Sequence, residues 1–273
     1  MAGPLHDQPD PASRLDEDAR DPFRTGSLRW PDREALLALE SRPPGEGRID
    51  VWIARVPQWA GDPSAGFLSE AEVARALAYV HEKDRVRFAT ARSLLRRLLA
   101  GYLGAAPGTV AIDTGRFGKP RLAGPWATSG LAFNVSCSAD VMAFAFAVGA
   151  DVGIDLESTA ASDLQPGEAA SVAGSFSTEE AALVGSLPPT DATATFLRLW
   201  VCKEACLKCL GTGLTTPLDE IEIRFRGDLR ATGRRGTDAF AIHGLDAGGD
   251  VVAAVAIRGT RIREPRVVRL ARG

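Results

Sequence analysis

The 273-residue sequence has few lysines, a single asparagine and no apolar stretch of membrane-spanning length. A transmembrane helix needs roughly 20 apolar residues, so no membrane association is predicted. The first 26 residues contain no apolar segment typical of a secretory signal. Four cysteines in a chain of this length do not make a disulfide framework, so the reducing cytoplasm is the expected location.

Acidic and basic residues are also balanced over most of the chain. The 32 basic and 35 acidic residues give a net charge of −3. Residues 1–48 hold ten acidic residues and seven arginines, which leaves 25 of each sign in the remainder. A dedicated nucleic-acid-binding protein usually carries a basic excess, so no nucleic-acid partner is predicted.

Lysine is rare in this sequence, and arginine supplies almost all of the positive charge. Only four of the 32 basic residues are lysines, and they lie at positions 83, 119, 203 and 208. A compact ammonium group on a flexible stem suits contact with phosphate. The retained lysines therefore indicate phosphate chemistry, with chance retention as the alternative.

The N-terminal part of the sequence differs from the rest. Residues 1–48 are rich in Pro, Asp, Arg and Gly and are predicted to be a mostly disordered extension, with one short helix at 34–40. The folded body is predicted to begin at Ile49 and to comprise a first half at 49–149 and a second half at 150–273.

An imperfect internal repeat supports this division into halves. The matched segments are 50–56 with 151–157, 67–73 with 176–182, 102–104 with 209–211, and 140–149 with 250–259. Their offsets of 101, 109, 107 and 110 residues keep the same order. Four ordered matches favour a duplicated unit of about one hundred residues.

Each repeat is predicted to contain a strand, a capped helix, a longer helix and further strands. Ser69 and Ser177 are suitable N-caps because acidic residues follow them. The predicted elements are helices at about 84–103 and 193–210 and strands at 141–148 and 251–257. The fold class is therefore predicted to be α+β, with two similar halves packed as a pseudo-dimer and a ligand site between them.

The predicted strand at residues 152–157 is apolar except for two carboxylates. Asp155 and Glu157 lie two residues apart and point to one face of the strand. Such a pair needs a positive partner, and oxygen ligands suit Mg²⁺. A solvated strand end is the alternative. The first repeat has Ala54 and Val56 at the matching positions, so only the second half keeps the pair.

A second constellation lies on the predicted helix of the second half. Glu204 and Lys208 are four residues apart and therefore share one helical face. The alternative is a surface ion pair of little energetic value. Because Leu197, Trp200 and Leu207 lie in the same region, the pair is expected to be partly buried beside the two carboxylates.

The third constellation offers hydrogen-bond donors to phosphate. Lys119 follows a glycine and precedes a proline in a predicted turn, and the segment 133–138 reads Phe-Asn-Val-Ser-Cys-Ser. Lysine and serine donors suit phosphate oxygens. An ordinary β-turn followed by a strand is the alternative.

Three cysteines, at positions 202, 206 and 209, have the spacing C-x₃-C-x₂-C of some iron–sulfur enzymes. Within an amphipathic helix, these positions fall on one stripe and behave as small apolar residues. The iron–sulfur reading is therefore a minor alternative, and a colourless protein would exclude it.

Taken together, these motifs resemble the surfactin-synthetase type of 4′-phosphopantetheinyl transferase. The matching segments are 118–120, 133–136, 152–157, 176–180, 200–208 and 211–214. They follow the family's order and approximate spacing over about residues 85–218. The resemblance implies two similar α+β halves with coenzyme A bound between them.

The resemblance also implies roles for individual residues. Asp155, Glu157 and Glu204 would hold Mg²⁺ with the coenzyme A pyrophosphate. Glu204 would help to deprotonate the acceptor serine, directly or through water. Lys208 would steady the phosphate under attack. The residues implied in coenzyme A binding are Lys119, Ser136, Cys137, Arg87 and Arg75.

Cys137 is a departure from the family pattern, which usually reads Ser-His-Ser where this chain reads Ser-Cys-Ser. The histidine normally helps to bind phosphate, whereas cysteine is neutral and a weak donor. We expect neighbouring arginine, with Arg87 and Arg121 as candidates, to replace part of that role.

The predicted function is Mg²⁺-dependent transfer of 4′-phosphopantetheine from coenzyme A to a serine of an acyl or peptidyl carrier protein, releasing 3′,5′-ADP. The alternative is a catalytically weakened coenzyme A- or nucleotide-binding relative. The implied partners are carrier domains of fatty-acid, polyketide or nonribosomal peptide synthases. The chain is expected to be monomeric, with arginines at 85–97 or 261–272 facing an acidic carrier surface.

Overall fold

The computed structural model describes residues 43–45, 48–59, 67–115, 117–160, 164, 167–248, 250–260 and 264–270. Apart from 43–45 and 48, the predicted N-terminal extension lies outside the described residues, and so does its predicted helix. None of the helices in the described part of the chain has the length and apolar character needed to cross a membrane.

The first sheet combines strands from both ends of the folded chain. Its strands are β1 (Ile49–Arg55), β4 (Leu131–Ser138), β5 (Val141–Val148) and β11 (Arg266–Arg269). They lie in the order β11-β1-β5-β4. The β1–β5 and β5–β4 pairs are antiparallel, whereas β11 is parallel to β1. A small hairpin of β2 (Ile112–Thr114) and β3 (Pro120–Leu122) lies apart from this sheet.

The second sheet is a fully antiparallel sheet of five strands. Its strands are β6 (Val152–Ser158), β7 (Glu222–Phe225), β8 (Arg230–Arg235), β9 (Asp238–Asp246) and β10 (Val251–Arg258). Their order is β6-β10-β9-β8-β7. β6 is therefore at one edge of its sheet, as β4 is at one edge of the first sheet.

In the described part of the chain, six α-helices accompany the sheets: two of 22 residues, two of eight and two of four. The helices are α1 (Val56–Trp59), α2 (Glu70–Leu77), α3 (Glu82–Leu103), α4 (Ala169–Val172), α5 (Thr178–Gly185) and α6 (Pro189–Leu210). Ser69 and Ser177 form capping boxes at α2 and α5, which confirms both predicted N-caps. α3 and α6 end at Gly104 and Gly211, whose positive φ angles of 63° and 72° suit glycine.

The same order of elements occurs twice along the chain. β1, α2, α3, β4 and β5 in the first part correspond to β6, α5, α6, β9 and β10 in the second. In space, the orders β1-β5-β4 and β6-β10-β9 match, with antiparallel pairing throughout. The sequence repeat therefore coincides with a repeated arrangement of elements.

Strand alternation distributes the apolar side chains between three core clusters. Along β5, Phe144 and Phe146 pack in a cluster with α3, whereas Ala143 and Ala145 join a cluster that includes β6, β9 and β10. α6 forms the third cluster against the opposite face of the second sheet. The two sheets therefore share a core of Ala, Val, Ile and Leu side chains, and each long helix covers one outer face.

A buried ion pair links the short and long helices in each part. Glu180 Oε2 lies 2.6 Å from Lys203 Nζ, and Glu72 Oε2 lies 2.7 Å from Arg96 Nε. Lys203 is fully buried and also donates to main-chain carbonyls beyond α6. Lys203, which belongs to the sequence motif around Glu204, is thus a core residue.

β11 departs from the predicted division of the chain. Although it lies within 150–273, it pairs with β1 of the first sheet. Arg266 forms a two-fold contact with the buried carboxylate of Asp50, at 3.0 and 2.6 Å. Arg269 pairs with Asp246 at 2.7 Å. These two C-terminal arginines have intramolecular partners, and their predicted role toward a carrier stays a prediction.

Candidate active site

The candidate site begins where the edge strands β4 and β6 meet. Asn134, Ser136 and Ser138 alternate along β4 and contact β6. The Asn134 side-chain oxygen accepts a hydrogen bond from the Ile154 main-chain N–H at 2.8 Å. This side-chain bridge joins two sheet edges, and we refer to residues 134–138 and 154–158 as the β4–β6 seam.

Asp155 is the buried centre of the site. Its Oδ1 accepts a hydrogen bond from the Ser136 hydroxyl at 3.0 Å and lies 2.5 Å from Lys208 Nζ. Lys208 Nζ also lies 3.0 Å from Ser136 Oγ. The predicted residues Ser136, Asp155 and Lys208 therefore meet, although they belong to β4, β6 and α6.

Glu157 is held by groups from two other elements. Its Oε2 accepts a hydrogen bond from the Ser138 hydroxyl at 2.9 Å. The side chain of Trp200, on α6, also favours the ionised form of this carboxylate and so acts to lower its pKa. Asp155 and Glu157 thus occupy one face of β6, as the alternation predicted, and both contact serines of β4.

Glu204 lies one helical turn before Lys208. Among the described side chains, Glu204 Oε1 and Asp155 Oδ2 are buried without a hydrogen-bond partner. A buried carboxylate oxygen without a donor or a cation is costly. These two oxygens therefore indicate that a positive group belongs at the site in addition to Lys208.

The three carboxylates influence one another electrostatically. Burial raises the pKa of Asp155, and the positive charge of Lys208 acts in the opposite direction. Burial raises the pKa of Glu157, and the negative charge of Asp155 adds to this effect. Burial also raises the pKa of Glu204, with further contributions from Asp155 and Glu157. A divalent cation would relieve this repulsion.

The donor chemistry of the cluster fits Mg²⁺. The described residues contain no three acidic, histidine or cysteine side chains already arranged as a ligand set. Lys208 instead contacts Asp155 Oδ1. The possible metal ligands in the cluster are nevertheless all carboxylate oxygens. Two of these oxygens are buried and have no hydrogen-bond donor among the described residues. Mg²⁺ is usually held by one or two carboxylates together with waters and substrate phosphates, so the residues fit such an ion.

Cys137 lies between the serines of the seam and packs against the core beneath α3. Burial raises the pKa of the Cys137 thiol to about 11, and the positive charges of Arg87, Lys208 and Arg92 oppose this shift. The Arg87 guanidinium contacts the Asp84 carboxylate at 2.7 Å. The positive charges that act on the thiol therefore come from both long helices.

Arg121, the other arginine expected near Cys137, lies elsewhere. It pairs with Asp113 at 3.1 Å on the exposed β2–β3 hairpin. Arg92, whose guanidinium lies 3.5 Å from the Glu72 carboxylate, is the second arginine whose charge acts on Cys137, and the sequence did not single it out for this role. Arg92 lies five residues after Arg87, and no sequence motif marked it as a residue of the site.

Arg75 and Lys119 have other contacts in this structure. Arg75 is exposed in the last turn of α2, with its guanidinium carbon 5.3 Å from the centre of the Phe88 ring. Lys119 Nζ donates to the carbonyls of Val152 and Cys209, both at 3.0 Å. Burial lowers the pKa of Lys119. Their predicted coenzyme A contacts stay predictions.

Gly153 determines how closely α6 approaches β6. A Cβ atom at this position would lie 2.0 Å from the Ala205 carbonyl oxygen and 2.3 Å from the Cys209 nitrogen. Only glycine allows this distance between the helix that carries Lys208 and the strand that carries Asp155. Sequence reasoning included Gly153 in a motif but gave it no role.

The three cysteines of α6 are core residues. Cys202, Cys206 and Cys209 are buried and unbridged. Burial raises the pKa of each thiol. Buried thiols with raised pKa values pack as small apolar side chains, in agreement with the preferred reading of their spacing.

Comparison with known proteins identifies the family. Residues 151–256, which include β6 and α6, match the family model described as the 4′-phosphopantetheinyl transferase superfamily. The chain is 39% identical to the 4′-phosphopantetheinyl transferase HetI of Nostoc sp. over 197 residues, which cover 71% of this chain and 80% of the relative. It is 28% identical to a 4′-phosphopantetheinyl transferase of Bacillus subtilis over 150 residues, 55% of this chain and 63% of the relative. The chain therefore belongs to the 4′-phosphopantetheinyl transferase family of enzymes.

Proposed function

We propose that this enzyme transfers 4′-phosphopantetheine from coenzyme A to a serine of a carrier protein in a Mg²⁺-dependent reaction. The observation that carries the proposal is the cluster at the β4–β6 seam. There, Lys208 contacts Asp155, and two buried carboxylate oxygens of Asp155 and Glu204 have no donor among the described residues. A further cation held by these carboxylates could also bind the negatively charged diphosphate of the substrate.

In the proposed reaction, the serine hydroxyl oxygen forms a bond to the phosphorus attached to pantetheine. The bond from that phosphorus to the oxygen of the second phosphate breaks, and 3′,5′-ADP leaves with the bonding electrons. The serine proton must be removed. We assign its removal to Glu204, directly or through water, because its carboxylate belongs to the cluster and its Oε1 has no donor among the described residues.

Asp155, Glu157 and Glu204 are the residues that would hold Mg²⁺. When bound, the ion supplies charge neutralisation for the diphosphate. Lys208 can contribute in the same way, because its ammonium is only partly buried and its Asp155 partner is shared with Ser136. We assign to Lys208 the orientation of the phosphate under attack.

We further propose that coenzyme A binds beside this cluster. Ser136 contacts both Lys208 and Asp155, and the charges of Arg87 and Lys208 both act on Cys137, which supports a phosphate-binding region there. The proposed roles of Arg75 and Lys119 rest on the family resemblance alone.

The repeated order of elements supports two similar halves related as a pseudo-dimer, as in the surfactin-synthetase type. The site lies where β4 of the first half meets β6 and α6 of the second. We propose carrier domains of fatty-acid, polyketide or nonribosomal peptide synthases as acceptors. A monomeric state and a cytoplasmic location stay predictions.

The direct test is mass spectrometry of an apo carrier domain after incubation with the full chain, coenzyme A and Mg²⁺. The expected result is a mass increase of one phosphopantetheine group on the carrier serine. A carrier with that serine replaced by alanine is the control. If coenzyme A binds but no carrier of the three synthase classes is modified, the weakened-relative alternative replaces this proposal.

A further inference from the structure

The hydroxyl of Ser138, on β4, makes two hydrogen bonds to residues of β6. Its Oγ accepts a hydrogen bond from the Ser158 main-chain N–H at 3.1 Å and donates to Glu157 Oε2 at 2.9 Å. A serine hydroxyl has one proton, so the donation to Glu157 uses it fully. The orientation of the Glu157 carboxylate therefore depends on a residue of the neighbouring sheet.

The position of Ser138 is itself fixed by the turn that follows it. The next residue, Ala139, has a positive φ of 49°, the only non-glycine residue of the described chain with this conformation. Asp140 accepts two hydrogen bonds from Arg55, both at 3.0 Å, and its carbonyl accepts from Val56 N–H at 2.7 Å. A conformation that is uncommon for alanine persists where surrounding contacts hold it.

We propose that Ser138 is a positioning residue for the divalent cation site. It holds Glu157 in the orientation used for the ion, in the way that groups hydrogen-bonded to metal ligands orient those ligands elsewhere. The inference rests on the proposed Mg²⁺ dependence of the enzyme. It adds a contribution of the first half to a metal site whose carboxylates all belong to the second half.

The test uses Mn²⁺ as a paramagnetic probe of the full chain. Free Mn²⁺ is measured by electron paramagnetic resonance during titration of the wild type, Ser138→Ala, Ser138→Thr and Ser129→Ala. Removal of a group that orients a metal ligand typically weakens binding about 10- to 100-fold. Ser138→Ala is expected to lose affinity by that factor, whereas Ser138→Thr retains the hydroxyl and most of the affinity.

Ser129→Ala is the matched control. Ser129 also accepts a hydrogen bond from a main-chain N–H, that of Leu131 at 3.3 Å, but lies at the other end of β4. It should bind Mn²⁺ as the wild type does. If Ser138→Ala lowers the melting temperature too far for titration, Ser138→Cys provides a weak donor of similar size and should also lose affinity.

The outcomes separate the two proposals. Measurable Mn²⁺ binding by the wild type with equal binding by folded Ser138→Ala or Ser138→Cys would overturn the role of Ser138 alone. Absence of Mn²⁺ binding by the wild type would overturn the proposed metal dependence, and the role of Ser138 with it. Loss of affinity in Ser138→Ala with recovery in Ser138→Thr supports both.

Discussion

Lys208 Nζ lies 2.5 Å from Asp155 Oδ1 and joins α6 to β6 at the candidate site. The first repeat has Ala54 at the position of Asp155 and therefore cannot form this pair. The pair gives the buried carboxylate a counter-charge, but it leaves Asp155 Oδ2 without a hydrogen-bond partner among the described residues. The arrangement is therefore incomplete as a structural ion pair and suited to a further cation.

Replacing Asp155 should separate activity from stability. Asp155→Asn removes a proposed metal ligand but keeps the size of the side chain. Transfer is expected to fall by at least about 100-fold, a loss typical for removing one group that stabilises transition-state charge. The melting temperature should change little, because a buried carboxylate with an unsatisfied oxygen is itself unfavourable. Asp151→Asn, at an exposed position just before β6, is the matched control. Full transfer by Asp155→Asn would contradict the metal assignment.

The raised pKa of Glu204 predicts a pH-dependent stability in the presence of a chelator. The native state holds the Glu204 proton more tightly than the unfolded chain does, so its contribution to stability is complete below the ordinary glutamate pKa of about 4.3. That contribution is lost as the pH rises through the raised native value. Divalent cations should oppose the loss because they stabilise the ionised carboxylate.

The stability change is measured by thermal melts from about pH 4.3 upward, with chelator in one series and Mg²⁺ in the other. Glu204→Gln should give a shallower decline in chelator than the wild type. Glu179→Gln, in the exposed first turn of α5, should reproduce the wild-type decline. Identical slopes for Glu204→Gln and the wild type would show that Glu204 does not titrate in this way.

Substitution of Gly153 should damage the site through packing. The Cβ of Gly153→Ala would overlap the backbone of α6 at Ala205 and Cys209, so the helix must move away from β6. Overpacking of this kind costs about 1–3 kcal/mol. Chemical denaturation should show that loss, together with a large decrease in transfer. Gly185→Ala, where an added Cβ meets nothing within 4 Å, should reduce neither stability nor transfer. A stable and active Gly153→Ala variant would show that the close approach is not required.

Restoring histidine at position 137 should have a small effect on coenzyme A binding. The charges of Arg87, Lys208 and Arg92 already act at this position, and they disfavour a further cation. We expect Cys137→His to tighten binding about threefold or less, below the tenfold to hundredfold that a charge-assisted hydrogen bond of about 1.5–3 kcal/mol would give. Isothermal titration calorimetry compares the two proteins. A gain of tenfold or more would contradict compensation by arginine.

Arg266 is expected to stabilise the fold more than Arg269, although both lie on β11. Among the described residues, Arg266→Met leaves the buried Asp50 carboxylate with the Tyr102 hydroxyl as its remaining side-chain donor. The expected loss is about 1–3 kcal/mol in the free energy of unfolding, the usual cost of an unsatisfied buried group. Arg269→Met breaks an exposed pair and should cost less than about 1 kcal/mol. Equal losses in denaturant titrations would contradict this difference.

Local patterns in the sequence were sufficient for most elements, and they singled out Ser136, Asp155 and Lys208, which the structure brings together. N-cap serines at positions 69 and 177 and the long amphipathic segments predicted the helices, because such signals act within a few residues. Alternation placed Asp155 and Glu157 on one strand face, and helical spacing placed Glu204 and Lys208 on one helix face. The ordered repeat also anticipated the recurring arrangement of elements.

Only the tertiary structure decided which of these groups meet and which are engaged elsewhere. Ser138 reaches Glu157 because two sheet edges adjoin, Lys119 instead contacts the backbone at the end of α6, and β11 returns to the first sheet. Each of these contacts joins residues far apart in sequence, and their distances depend on how sheets and helices pack. The sequence by itself therefore determined the local elements and the chemical groups available for the site. Packing between the halves, which no local pattern encodes, determined the geometry in which those groups can act.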